Sequence, residues 1–408
     1  MNDDLVKCID ENKIKKLNWI GFDDAKVLLE KKGINEDYNA FLDVIFERAS
    51  LNVEEAETFF EEMDSEGGVV VLQSYNEMSK KTGVEDFVAL FNNRYKTLKE
   101  ILCNRIELGD AISISRVFSK SNEKVALIGI VENKRITKKD NLLIELEDLS
   151  GKINVLINKN KNEMKDVAKE IVLDEVIGVI GNVNEGFVFA DKIFFPEVPL
   201  IKELKKSPLE EYAIFISDLH VGGKSFLEED FNKFLGWLNS KGEVNCNGKK
   251  IDVEKIKYLF IVGDLIEGIG IYPGQENDLK IKDYHQQYKK LGELHERIPE
   301  KKNLIICPGN HDAMRLDEPQ PPINKMLLGS SFERPNVFSV SNPALVNIGA
   351  TENFSGFDIL IYHGASFPYY ADSVEDIRLK GGQTRVDLIM KLLLRKRHLA
   401  PTHTSTSY

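Results

Sequence analysis

The sequence predicts a multi-domain chain: a small helical N-terminal domain, then a five-stranded β-barrel, then an α/β domain. Three observations lead there. Apolar residues recur at helical spacing before residue 62. β-branched runs separated by turns fill residues 111–198. From Glu211 onward, apolar strands alternate with amphipathic helices. A length of 408 residues suits two or three domains, and 42% hydrophobic residues supply cores for them.

In the helical domain, residues 1–62, the helical spacing is clearest in Phe22–Leu29 and in Tyr38–Phe46. Asn52 is a candidate N-cap for one more helix. Such a unit suits a partner-binding role or a set of solvated acidic helices. Asp64-Ser65-Glu66-Gly67-Gly68 breaks the pattern as a linker. Residues 63–110 read as a connector, with a short strand at Val69–Leu72 and a helix from Val84 through Ile101.

Between 111 and 199 the expected strands are Lys124–Ile136, Leu142–Glu147, Ile153–Ile157, Glu175–Val183 and Phe187–Phe195. A helix from Lys161 to Ile171 falls between the third and fourth. That order is the order of the OB-fold barrel, with another small β-barrel as the alternative. OB-folds often grip single strands of nucleic acid through basic grooves and stacking aromatics. Lys124, Lys134, Arg135, Lys138 and Lys139 supply charge, but the early strands carry few aromatics. A structural or protein-docking barrel therefore stands beside a strand-gripping one. Pro196 and Pro199 close the barrel, and Lys202–Lys206 form a charged linker. Residues 211–408 make the α/β domain. Its strands are expected at Ala213–Ser217, Tyr258–Val262 and Asn303–Cys307, its helices at Asp230–Leu238 and Tyr284–Arg297.

Charge and cysteine content narrow the function. A net charge of −12 excludes a uniformly basic coat for nucleic acid, though not a local groove. The four cysteines, Cys8, Cys103, Cys246 and Cys307, are widely spaced, which argues against a zinc site or disulfide framework and for a reducing compartment. The first residues, MNDDLVKCIDENKIKK, hold no apolar signal core, and no run approaches the roughly 18–20 apolar residues that span a bilayer. A soluble, cytoplasmic protein with no membrane partner is expected.

Four motifs fall where the α/β pattern puts strand ends. They are Ile214-Phe215-Ile216-Ser217-Asp218-Leu219-His220, Phe260-Ile261-Val262-Gly263-Asp264, Ile305-Ile306-Cys307-Pro308-Gly309-Asn310-His311-Asp312, and Leu360-Ile361-Tyr362-His363-Gly364. Each sets a metal-ligand residue type directly after an apolar strand, where α/β sheets gather functional groups. A lone Asp-x-His or Gly-Asp is weak. Asn-His-Asp after Pro-Gly is sharper, because it has no obvious packing purpose. The four in this order point to hard divalent cations held by carboxylate, imidazole and carboxamide.

The series resembles the calcineurin-like metallophosphoesterases. More closely, the chain resembles the family of small subunits of archaeal family D DNA polymerases. The resemblance rests on Ser217-Asp218-Leu219-His220-Val221-Gly222, Gly263-Asp264-Leu265-Ile266-Glu267-Gly268, Pro308-Gly309-Asn310-His311-Asp312-Ala313-Met314-Arg315, Tyr362-His363-Gly364 and Arg397-His398-Leu399-Ala400-Pro401-Thr402. It implies an α/β metallophosphoesterase domain, a β-sandwich flanked by helices, behind an OB-fold. It implies that Asp218 and His220 bind one metal, that Asp264 bridges two, and that Asn310 and His363 bind the second. His311 would act on the scissile phosphate. Two divalent ions are implied; manganese suits these donors, and magnesium, zinc or iron also fit. The implied activity is two-metal hydrolysis of phosphodiesters, a 3′-to-5′ exonuclease in DNA replication. The implied partners are DNA and the large catalytic subunit of the polymerase. Arg315, or the basic run Lys391–Arg397, would meet DNA phosphates, although a solvated helix end explains that run as well. A non-catalytic accessory subunit is the alternative; a small-molecule phosphodiesterase fits less, having no need of a barrel.

One departure stands out. The family adds a GHxH segment that supplies one imidazole to each metal. Here the histidines after His363 are His398 and His403, neither in a GHxH, and the chain ends at Tyr408. The expectation is a phosphoesterase domain incomplete at its C-terminus, with each metal short of one ligand. A fragment, a separately encoded remainder and a non-catalytic subunit would each account for it. His403 is a conceivable replacement.

Overall fold

The computed structural model describes residues 68–76, 82–159, 162–199, 204–246, 248–329, 332–351 and 354–406. The helices expected before residue 62 lie outside these. Two compact units emerge: residues 68–76 with 204–363, and residues 82–199 with 364–406. No helix among the described residues is long and apolar enough to cross a membrane.

The described chain begins on β1 (Val69–Ser74), which belongs to the α/β unit. The barrel unit follows with helix α1 (Val84–Cys103) and strands β2 (Lys124–Ile136), β3 (Leu142–Asp148) and β4 (Gly151–Ile157). Helix α2 (Asn162–Glu170) then leads to β5 (Val176–Asn184) and β6 (Phe187–Phe194). The strands close into a barrel in the order β2-β3-β4-β6-β5, with β4 and β6 parallel and the other pairs antiparallel. The first half of β2 pairs with β5 and the second with β3, and a register shift at Val131/Asn133 bends the strand between them. Alternation does the rest. Leu127, Ile144, Leu146, Val155, Val179 and Val188 point inward, and Met164 and Ala168 of α2 pack against them.

Residues 364–406, which the sequence reading assigns to the α/β domain, cluster with the barrel. Helices α5 (Phe367–Ser373) and α6 (Val386–Lys396) join Tyr370, Ile389, Leu392 and Leu393 to Val172. In the basic run at the end of α6, Lys391 and Arg397 are exposed, but Arg395 and Lys396 are paired with carboxylates. Lys396 is 2% exposed, and its Nζ lies 2.6 Å from Glu175 Oε2. Arg395 pairs with Glu170 and with Glu197, the latter at 2.7 Å. The His398–Thr402 segment locks onto the loop before β5. Arg94 donates to Pro401 O at 2.6 Å and to Asp174 O at 3.1 Å, and Thr402 Oγ1 donates to Leu173 O at 3.0 Å. His403 packs against the rings of Phe87 and Phe91.

The α/β unit is a sandwich of two sheets. One is parallel, built from β7 (Tyr212–Ile216), β8 (Ile256–Val262), β9 (Asn303–Cys307) and β10 (Val337–Ser339) in the order β10-β9-β8-β7. The other is antiparallel, with β11 (Ala344–Ile348) between β1 and β12 (Phe357–Ile361). Tyr258, Phe260, Ile305 and Cys307 face the second sheet; Leu259, Ile261, Leu304 and Ile306 face helices α3 (Glu228–Leu238) and α4 (Tyr284–His295). Burial on both faces is why these strands read as unbroken apolar runs rather than alternating ones.

Candidate metal centre

β7, β8 and β9 run parallel and in register, so their C-terminal ends lie side by side. The backbone ladder continues past the strands: Asp218 N donates to Gly263 O at 3.1 Å, His220 N to Asp264 O at 3.0 Å, and Gly263 N to Cys307 O at 3.1 Å. This holds three ligand-bearing loops against one another. Asp218, His220 and Asp264 all have positive φ, at 55°, 52° and 50°. Non-glycine residues rarely adopt that region, at about 1–3 kcal/mol each, and such strain persists where surrounding structure over-determines it.

Asp264 is the hub. Its side chain is 5% exposed, and three imidazoles turn Nε2 toward it: His363 at 3.4 Å, His220 at 3.7 Å and His311 at 4.0 Å. The other ring nitrogens of His363 and His311 contact backbone carbonyls, and that of His220 faces a carboxylate without hydrogen-bonding to it. His363 Nδ1 sits 3.0 Å from Val262 O, His311 Nδ1 2.7 Å from Glu267 O, and His220 Nδ1 3.2 Å from Glu267 Oε2. Anchoring Nδ1 in this way leaves Nε2 as the nitrogen that faces the site. Potential ligand atoms fall into two groups sharing Asp264: His220 with His311, and Asp218 with His363, each group within 4.8 Å. The groups do not set Asp218 with His220, as the resemblance implies, although those two side chains are 3.8 Å apart. Carboxylate and imidazole donors at this spacing fit divalent cations.

The electrostatics follow from the crowding. The His220 imidazole holds the Asp218 carboxyl down at about 2, and Asp218 in turn raises His220. Burial works against the charge on Asp264, yet His363 outweighs it and keeps the carboxyl below its usual range. Burial likewise opposes charge on His363, but Asp264 lifts it to about 9.

Asn310 lies half-buried on the loop after β9, beside His311. That loop comes close because Gly309 carries no side chain: a Cβ there would lie 2.2 Å from Asp264 Oδ1. His311 N donates to the same oxygen at 2.9 Å. Arg315 turns away to Pro319 O, at 3.1 Å from Nε, and packs over the Tyr75 ring.

Several contributors had no sequence-based role. Asp312, 3% exposed, accepts from Gly309 N at 2.9 Å and Leu265 N at 3.2 Å, and Tyr288 donates its hydroxyl proton to it at 3.2 Å. It ties the loop after β9 to the loop after β8, and burial pushes its carboxyl up to about 6. Asn342 Oδ1 accepts from His363 N at 2.9 Å. Glu267 stands behind His220. Its one local signal is an acid in the otherwise apolar turn Leu265-Ile266-Glu267-Gly268.

Residues 213–407 match the family model described as calcineurin-like phosphoesterase, a stretch that runs through both compact units. Residues 213–407 thus form a calcineurin-like phosphoesterase domain. Divalent metal ions are the cofactors this phosphoesterase domain implies. Its curated relatives are DNA polymerase II small subunits. That of Methanothermobacter thermautotrophicus is 38% identical over 334 residues, covering 82% of this chain and 66% of the relative. Those of Methanocaldococcus jannaschii and Pyrococcus furiosus are 37% and 38% identical, each covering 78% of this chain and 52% and 50% of the relative. The chain therefore spans about half to two thirds of the length of these relatives.

Proposed function

We propose that this chain is the small, proofreading subunit of a replicative DNA polymerase, and that its centre hydrolyses phosphodiesters at the 3′ ends of DNA. The observation that carries this reading is one buried carboxylate, Asp264, shared by two groups of ligand atoms. Asp218, His220, Asp264, Asn310 and His363 are the proposed ligands, with Asp264 between the ions. When bound, two divalent ions, manganese by preference, supply Lewis acidity and neutralise phosphoryl charge. The chain's own residues orient that chemistry. His311 and His363 are held through Nδ1 on backbone carbonyls, His220 Nδ1 faces Glu267, and all three Nε2 atoms turn toward Asp264. His311 Nε2 is then the position at which a proton passes to the leaving oxygen. The partners in this reading are DNA and the large catalytic subunit. The barrel is proposed to be an OB-fold, its helix lying between the third and fourth strands.

A second reading, a non-catalytic accessory subunit, draws support from the basic run of α6. Its Arg395 and Lys396 are spent on Glu170, Glu197 and Glu175 rather than left for phosphate. Degradation of a 3′-labelled mismatched primer-template in manganese separates the two. Activity that disappears in Asp264→Ala supports the exonuclease. No activity from a folded chain supports the accessory role.

A further inference from the structure

Glu267 is 4% exposed and lies in the turn that leaves β8. An apolar turn has no need of a carboxylate, and burying one without partners is expensive. Its Oε2 sits 3.2 Å from His220 Nδ1, while Nε2 on the far edge of that ring points to Asp264 at 3.7 Å. The contact lies outside hydrogen-bond geometry, and the buried Nδ1 makes no hydrogen bond among the described residues, which leaves the Glu267 carboxylate as the charge it faces.

Glu267 is itself held in place. Gln275, 1% exposed, donates from Nε2 to Glu267 Oε1 at 3.2 Å and to Glu267 O at 2.9 Å. The Tyr272 hydroxyl reaches Oε1 at 3.4 Å. Gly223 makes room on the other side, since a Cβ there would lie 2.5 Å from Oε2. The His363 side is built differently: its Nδ1 faces the neutral carbonyl of Val262 at 3.0 Å.

We propose that Glu267 is a positioning residue that fixes the tautomer and orientation of His220, and thereby sets metal affinity on the His220 side of the centre separately from the His363 side. The inference rests on the two-metal reading above. A carboxylate behind Nδ1 keeps the proton there and leaves the Nε2 lone pair facing the site, and its charge makes that nitrogen a stronger donor. A backbone carbonyl orients a ring in the same way but brings no net charge. Removing the charge at residue 267 therefore weakens one metal position and spares the other.

The test is calorimetric titration of manganese into the whole chain and into Glu267→Gln and Gln275→Leu, with circular dichroism and thermal midpoints as folding controls. The unsubstituted chain is expected to show two binding events. Glu267→Gln should weaken one of them about 10–100-fold and leave the other unchanged. Gln275→Leu, which keeps the charge but loosens it, should weaken the same event by less. In a folded Glu267→Gln chain, two equally weakened events or two unchanged ones overturn the proposal and leave the two-metal reading standing. If Glu267→Gln does not fold, an unchanged Gln275→Leu titration overturns it instead. No manganese binding by the unsubstituted chain removes the two-metal reading, and this proposal with it.

Discussion

Two buried carboxylates, one in each compact unit, are neutralised in opposite ways. Glu175, 1% exposed in the barrel unit, meets Lys396 Nζ at 2.6 Å and accepts from Val172 N at 2.8 Å. Burial pushes the Glu175 carboxyl up and the Lys396 ammonium down, each opposed by its partner. Asp264, 3% exposed in the α/β unit, has only histidines as ion-pair partners among the described residues. A charge with its own lysine belongs to the fold. A charge ringed by imidazole Nε2 atoms is left adjustable, because imidazoles can carry a proton or a metal in its place. Both units hold non-glycine residues at positive φ, but at Asp218, His220 and Asp264 such residues gather around one carboxylate.

The comparison breaks most readily at the hub. Asp264→Ala should lower manganese-dependent phosphodiester hydrolysis by more than about 100-fold, beyond what loss of an outer partner alone produces. Folding should be retained, and steady-state kinetics with a circular dichroism control check both. Next in size is the barrel pair. Lys396→Met strands Glu175 and should destabilise the chain by about 3–5 kcal/mol, while Lys396→Met with Glu175→Leu should recover most of that loss. Urea unfolding of the three variants reads the difference.

A third measurement sharpens the contrast through pH. His363 rises from 6.5 to about 9 in the fold, held by Asp264 and Asp218. Its contribution to the metal-free chain is therefore complete below pH 6.5 and is lost as the pH climbs to 9. That loss should be on the order of 2–3 kcal/mol and absent in His363→Asn. Urea midpoints at pH 6.5 and pH 9 in the presence of a chelator test it. The smallest effect is expected at Tyr288→Phe, which removes one hydrogen bond from Asp312 and one from Ala313 N. A loss of about 1–2 kcal/mol in thermal unfolding is the expected result.

The sequence by itself determined the local elements. β2 and β9 span the expected Lys124–Ile136 and Asn303–Cys307, because β-branched and apolar content is a property of neighbouring residues. It also placed ligand types at strand ends, since a polar residue directly after an apolar strand is visible in one dimension. It did not expect the hairpin of Glu243–Cys246 and Lys249–Asp252, whose strands of four residues are too short for a periodic signal.

Tertiary structure alone decided which distant segments meet. β1 pairs with β11 across Val69↔Ile348, and nothing within Val69–Ser74 names that partner. The apolar stripe of α6 says that it packs, not against what; the fold set Ile389 and Leu393 beside Val172 and buried Lys396 on Glu175. At the centre, Glu267, Asp312 and Asn342 gained their roles only when loops after β7, β8, β9, β10 and β12 converged. The physical reason is the same in each case. Propensity and periodicity act over a few residues, whereas a buried polar group takes its meaning from the partner that satisfies it, and that partner can lie anywhere along the chain.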